Sequence, residues 1–167
     1  MDAKGRSNPT TAERASDREM AVTRTFDAPA RLVFRAWTTA ELFRQWWVPK
    51  SFGLTLLSCE MDARVGGGYR LVFRHPESDR PMAFFGRYLE VAPNARLVWT
   101  NEEAGEGGAI TTVTFEEKNG KTLVTMRDLY PSKAALDEAI ASGATAGGFD
   151  EQFAQLDALL PTVQARA

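Results

Sequence analysis

The sequence predicts an α+β domain of the helix-grip kind, a curved antiparallel sheet around a long C-terminal helix, with two short helices after the first strand. Three observations carry this. Strand-like segments succeed one another from Phe52 to Leu129 with only turns between them, which gives an antiparallel meander and no βαβ crossovers. Asn119-Gly120 between two of them is the strongest short-range hairpin signal in the chain. Finally, Phe149, Phe153, Leu156 and Leu160 fall at i, i+4, i+7 and i+11, a single apolar helix face. A sheet with one apolar face must bury it, and that closing helix is long enough to do so.

The elements follow in order. Residues 1–18 are polar, carry Gly5, Ser7, Asn8 and Pro9, and lack hydrophobic periodicity, so they are expected to form a disordered tail. Met20, Val22, Arg24 and Phe26 share one face of a first strand, Arg24 breaking its apolar pattern. Pro29 suits the first turn of a helix in which Leu32, Val33, Ala36 and Trp37 repeat at helical spacing. Thr38-Thr39 supplies a break and an N-cap for a second short helix over 41–46, and Pro49 closes the pair.

Strands are then expected over 52–61, 69–73, 82–91, 96–100, 110–117 and 123–129. Gly66-Gly67-Gly68, His75-Pro76, Ala92-Pro93-Asn94, the Gly-rich loop 105–108 and Asn119-Gly120 separate them. Pro131-Ser132 opens a short helix through Leu136 and Ile140, which Ser142-Gly143 and Gly147-Gly148 interrupt. Pro161 is expected to stop the last helix, so the reading is one domain over 19–161 with a flexible C-terminus at 162–167.

Composition bounds the function. The 167 residues fit one domain, at roughly 150 residues per domain, and can bury a core without disulfides or metals. A net charge of −2, with Lys and Arg dispersed among Asp and Glu, gives no basic stripe for nucleic acid. One Cys (Cys59) makes no internal disulfide, and one Cys with one His (His75) cannot build the usual zinc site. No run approaches the ~20 apolar residues of a membrane span, and the N-terminus lacks the apolar stretch of a signal peptide. A cytoplasmic location, no cofactor, and a monomer or weak dimer are the expectations.

Several stretches resemble one family. Arg24-Thr25-Phe26-Asp27-Ala28-Pro29, followed by Val33-Phe34-Arg35-Ala36-Trp37, is similar to the opening of the SRPBCC (START-like) superfamily, in the branch named for the heat-shock protein 90 ATPase activator. Trp46-Trp47-Val48-Pro49, Asp62 to Gly67, Gly86 to Val91, Arg96 to Thr100 and the stretch from Gly148 to Leu156 match in the same order. Phe149 stands where that family's pattern has Trp. The resemblance spans about Arg24 to Leu160. It implies an internal ligand cavity more directly than any reaction, since relatives bind lipids or polyketides or act as aromatase/cyclases. The co-chaperone members carry a further N-terminal domain, which ranks a chaperone partner behind a small hydrophobic molecule.

Aromatic side chains are spread over the helix pair, the strands and the last helix, and apolar pockets are lined by such residues with a few polar groups to orient a guest. Trp46, Trp47, Phe73, Tyr88, Trp99, Phe149 and Phe153 are the candidate ligand-binding residues, drawn from a set that also holds Phe52, Tyr69, Phe84, Phe85 and Phe115. Trp46 and Trp47 lead, because an adjacent pair beside Pro49 is hard to bury in one core. Arg87, among aromatics, and Asp128, ending the last strand, are the candidate polar groups. The turn at Val65 to Tyr69 lacks the Lys-Ser/Thr and the following helix of a phosphate cradle and reads as a tight turn. His75 beside Pro76 reads as a loop residue, and Cys59 in a Leu-rich strand as a small buried hydrophobe. No catalytic constellation is visible. The expected function is binding of a lipid, polyketide or aromatic metabolite between the sheet and the terminal helix. A cyclase or hydrolase acting on such a ligand, and a co-chaperone-like interaction module, are the alternatives.

Overall fold

The structure is a computed structural model; it describes residues 10–103, 108–141 and 149–166, with side chains through Val163. The expected breaks at 142–143 and 147–148, most of the loop at 105–108, and residues 1–9 of the expected tail lie outside the described residues.

Strand β2 (Glu19–Phe26) turns Met20, Val22, Arg24 and Phe26 inward, as its period of two dictates. Helix α1 (Ala30–Thr38) follows Pro29, and the Ala30 N–H donates to Glu117 Oε1 at 2.9 Å, so a carboxylate from a distant strand satisfies one of the helix's first donors. Helix α2 (Ala40–Trp46) has Thr39 at its N-cap position, but the Thr39 hydroxyl makes no capping bond. A single 3₁₀ turn (Lys50–Phe52) then leads into the meander β3 (Thr55–Met61), β4 (Gly68–Arg74), β5 (Met82–Ala92), β6 (Arg96–Thr100), β7 (Ile110–Lys118) and β8 (Lys121–Leu129). Asn119 and Gly120 both have positive φ, 55° and 78°, the paired left-handed backbone of a two-residue hairpin turn between β7 and β8.

One strand has no counterpart in the sequence reading. Residues 11–14, expected within a disordered tail, form β1 (Thr11–Arg14), which pairs antiparallel with β2 from Thr11↔Thr23 to Arg14↔Met20. All four side chains are exposed, so no apolar periodicity marks it. Backbone pairing holds it, helped by the Arg14 guanidinium, which donates to the Ser16 and Asp17 carbonyls and pairs with Asp137 at 2.7 Å.

The resulting curved sheet runs β1-β2-β8-β7-β6-β5-β4-β3, antiparallel throughout. Register shifts between Leu56 and Ser58 on β3, and between Tyr88 and Glu90 on β5, are bulges that bend those strands. Helix α3 (Lys133–Ala141) buries Leu136, and α4 (Phe149–Arg166) lies against α1, α2 and β2. Phe153, Leu156, Leu160 and Val163 are its buried stripe.

The stop expected at Pro161 is also corrected: α4 continues through it to Arg166, and 162–166 are helical. Pro161 removes only the donor that would have met the Asp157 carbonyl. Burial of Leu160 and Val163, at 3% and 2% exposed, anchors the turn on either side of it. Opposite Asp157, the buried Arg24 guanidinium pairs with the Asp157 carboxylate and donates to Thr10 Oγ1 at 2.8 Å, which explains the one charge on the apolar face of β2.

Candidate functional site

The helix pair and the β3–β6 half of the sheet enclose a cavity of about 30 Å³. Trp37, Phe43 and Trp47 form its helical side. Met61, Tyr69, Leu71, Phe84, Tyr88 and Trp99 form its sheet side, and Phe84, 39% exposed, brings the wall to the surface. A single water needs roughly 10–15 Å³ of such space, so the cavity in this conformation is about two waters in size. Its position corrects the expectation that the void lies between the sheet and the terminal helix. Phe153 and Leu156 of α4 are fully buried, and Phe153 meets Phe26 at 5.6 Å and Trp37 at 6.2 Å. That helix packs flush.

The wall is an aromatic cluster centred on Trp37, whose ring lies 4.7 Å from Trp46, 5.8 Å from Trp47 and 6.1 Å from Trp99. Phe43 stacks on Trp47 at 4.6 Å. Most of the remaining pairs meet edge to face, the arrangement that ring quadrupoles favour. Polar side chains of α4 fix the segment that carries Trp47. Gln155 Nε2 donates to the Trp46 and Val48 carbonyls at 3.0 and 2.9 Å, and the Lys50 N–H donates to Gln155 Oε1 at 2.8 Å. Gln152 Nε2 donates to the Trp47 carbonyl, and Glu151 accepts from the Ser51 N–H at 2.9 Å. The terminal helix thus acts on the cavity by clamping its lid.

On the sheet side a glycine makes the geometry possible. A Cβ at Gly86 would lie 1.9 Å from the Thr100 carbonyl oxygen. Without it that carbonyl comes close enough to accept the Tyr69 hydroxyl at 2.8 Å. The Tyr69 oxygen also lies 3.2 Å from Asn101 Oδ1. Asn101 Nδ2 donates to the Ala109 carbonyl and to Thr111 Oγ1, and the Thr111 hydroxyl donates to Asp128 Oδ1 at 2.6 Å. A polar chain therefore runs from the cavity wall, across β6 and β7, to Asp128 on β8. Burial pushes the Asp128 carboxyl above the usual carboxylate range, partly offset by the Thr111 bond. Burial likewise raises the Tyr69 and Tyr88 hydroxyls, so both are neutral at any ordinary pH.

Of the residues singled out from sequence, Trp47, Tyr88 and Trp99 stand in the wall. Trp46 is fully buried one layer behind, its indole N–H donating to the Ala36 carbonyl at 3.0 Å. The adjacent tryptophans do share one cluster, their rings 5.4 Å apart, contrary to the expectation that such a pair is hard to bury in one core. Phe73 is buried beside Phe84, Phe153 is sealed between α4 and the sheet, and Phe149 is half-buried on the first turn of that helix. Arg87 is corrected outright. Tyr88 points inward, so strand alternation sends Arg87 to the outer face, where it pairs with Glu102 at 2.6 Å. Asp128 faces inward but touches the cavity only through its polar chain.

Trp37, Phe43, Met61, Tyr69, Leu71 and Phe84 complete the wall without having been chosen. Parity with Phe73 and Tyr88 along β4 and β5 carries the signal for Tyr69, Leu71 and Phe84. His75 sits in the β4–β5 connection, its Nδ1 accepting the Glu77 N–H at 3.1 Å. Cys59 is half-buried with its thiol pushed up by burial, which outweighs the nearby Arg44. Among the described residues no three His, Cys, Asp or Glu side chains converge as a metal site requires, and no helix is long and apolar enough to cross a membrane.

Comparison with solved structures finds the same fold in several bacterial proteins. A protein from Rhodobacter sphaeroides superposes with a TM-score of 0.81 at 24% identity, covering 92% of this chain and 99% of the other. One from Chromobacterium violaceum shares 30% identity with a TM-score of 0.66, covering 84% of this chain and 96% of that one. An AHSA1-like protein from Aeromonas hydrophila matches at 18% identity and a TM-score of 0.64, over 83% and 93% of the two chains. No curated protein matches. Residues 27–161, most of the chain, match the family described as activator of Hsp90 ATPase homolog 1-like protein, and the chain belongs to that family, within the SRPBCC (START-like) superfamily.

Proposed function

We propose that this protein binds a small hydrophobic or amphipathic molecule in the cavity between the helix pair and β3–β6. One observation carries the reading. Nine side chains from six elements and the segment after α2 converge on a void, none of them charged, and the wall reaches solvent at Phe84. Apolar pockets with few polar groups are the usual form of small-molecule sites. At its present volume the cavity admits a guest larger than two waters only if wall side chains move. Met61, half-buried, and Phe84, exposed, are the side chains expected to move, since Trp47 is half-buried but packed against four rings.

Native mass spectrometry of gently purified protein, with a screen of apolar compounds followed by tryptophan fluorescence, tests the reading. Trp37, Trp47 and Trp99 line the void, so a guest should change the emission of three of the four tryptophans. Leu71→Phe, which fills the void from the sheet side, should abolish binding at a stability cost of about 1–3 kcal/mol. Binding that survives Leu71→Phe unchanged would place the ligand elsewhere.

The family description favours a second reading, contact with an Hsp90-type chaperone. Pull-down with purified chaperone decides between the two. Direct binding that Leu71→Phe leaves intact would favour the surface over the cavity. A hydrolase or cyclase reading ranks behind both, because Asp128 reaches the cavity wall only through Thr111, Asn101 and Tyr69.

A further inference from the structure

We infer that the guest of this cavity is a neutral molecule carrying a hydrogen-bond acceptor, a carbonyl or ether oxygen on a small ring or branched frame, which takes the indole N–H of Trp37. The inference rests on the ligand-binding reading above and narrows its chemical class.

Trp37 is 1% exposed and forms part of the cavity wall, yet its Nε1 is buried with no hydrogen-bond partner. The contrast with Trp46 is direct, since that indole N–H is equally buried and is satisfied by the Ala36 carbonyl at 3.0 Å. A buried donor left unpaired costs the full desolvation of the group, and native interiors avoid it. The ring of Trp46, edge to face at 4.7 Å, offers at most an N–H···π contact, which is the weaker alternative. The Tyr69 hydroxyl stands in the same wall but makes no bond to Trp37 Nε1, and its proton goes to the Thr100 carbonyl.

The charge of the guest follows from the same wall. No Lys, Arg or His lines the cavity, so a carboxylate drawn inside would be an uncompensated buried charge. A cationic group would be equally costly, since no carboxylate lines it either. A neutral oxygen can use Trp37 without bringing charge in. An aromatic frame suits the rest of the wall, whose rings already prefer edge-to-face partners.

The test pairs two probes of nearly identical shape, acetophenone and isopropylbenzene, on the full chain. Acetophenone should bind about tenfold tighter, the worth of one net hydrogen bond to a buried donor. It should also move the Trp37 indole N–H resonance downfield in the ¹⁵N-labelled protein, assigned through contacts with Phe115 and Phe153, while isopropylbenzene leaves it in place. In Trp37→Phe the two probes should bind equally. If Trp37→Phe fails to fold, the resonance in the unaltered chain decides alone. Equal affinities in the unaltered protein, a preference that survives Trp37→Phe, or an upfield indole proton that no probe moves would each overturn the inference. The last would assign the N–H to the Trp46 ring. Where isopropylbenzene binds and acetophenone gains nothing, only this inference falls; where neither binds, the cavity reading falls and takes it along.

Discussion

The concave face of the sheet is covered in two different ways. Under α4, Phe26, Phe153 and Leu156 are fully buried and interlock, and Arg24 with Asp157 ties the strand to the helix at their side. Under α2, the same sheet meets Trp47, Phe43 and Trp37 across a void. The difference lies in side-chain shape. On α4 an aromatic ring alternates with branched aliphatic chains at helical spacing, and such mixtures fill space to crystal-like density. On the helix pair the groups facing the void, Trp37, Phe43 and Trp47, are all rigid rings, and they leave a gap against the sheet. A single fold therefore holds a sealed half under α4 and a looser half, with a void, under the helix pair.

Substitutions that ignore this division should show it. Phe153→Ala in the sealed half should cost about 3–5 kcal/mol, because a fully buried ring is replaced by a hole. Phe84→Ala at the mouth of the void, where the ring is 39% exposed, should cost under about 1 kcal/mol. Urea unfolding midpoints measure both. Similar costs at the two positions would mean that the two halves are equally packed.

Gly86→Ala comes next, at about 2–3 kcal/mol from forced overpacking, since its Cβ would strike the backbone carbonyl of Thr100. Unlike Phe153→Ala, it should also perturb the cavity, because that carbonyl holds the Tyr69 hydroxyl. Loss of ligand response in Gly86→Ala under conditions where the variant remains folded would separate the two effects. An unchanged midpoint would show that β5 and β6 have room to part.

Most of the fold was legible from periodicity, and the reasons for the exceptions differ. The pattern of β2, the hairpin at Asn119-Gly120 and the stripe on α4 are all burial or backbone signals, which a sequence records directly. Strand β1 leaves no such record, because its four side chains are exposed and only its backbone is engaged. Pro161 was misleading because local propensity opposes the helix there while Leu160 and Val163 hold it from either side. Within the site, the aromatic neighbours of Arg87 suggest an inward position, but strand parity with Tyr88 points it outward. The location of the void was not legible. Aromatic density announces a cluster, but whether rings meet or leave a gap depends on angles that only the assembled helix pair and sheet define.

The smallest effect belongs to the polar chain joining the two halves, and pH is the variable that exposes it. Burial raises the Asp128 carboxyl, so the folded chain keeps that proton to a higher pH than the unfolded chain, whose value is near 3.8. Between those two values the native state binds more protons, and stability falls as pH rises. Above the folded value the cost of a buried carboxylate is fully present; below about 3.8 it is gone. Asp128→Asn keeps an oxygen for the Thr111 hydroxyl and never ionises. The variant should therefore match or exceed the unaltered protein at pH 8, with the gap narrowing as the pH falls toward the unfolded value. Exposed carboxyls held low by hydrogen bonds, Glu102 on Arg87 and Asp137 on Lys133, pull stability the other way with pH, but both chains carry them and the difference removes them. Parallel stability curves from pH 4 to 8 would mean that Asp128 is well solvated, and that the chain from Tyr69 ends in water.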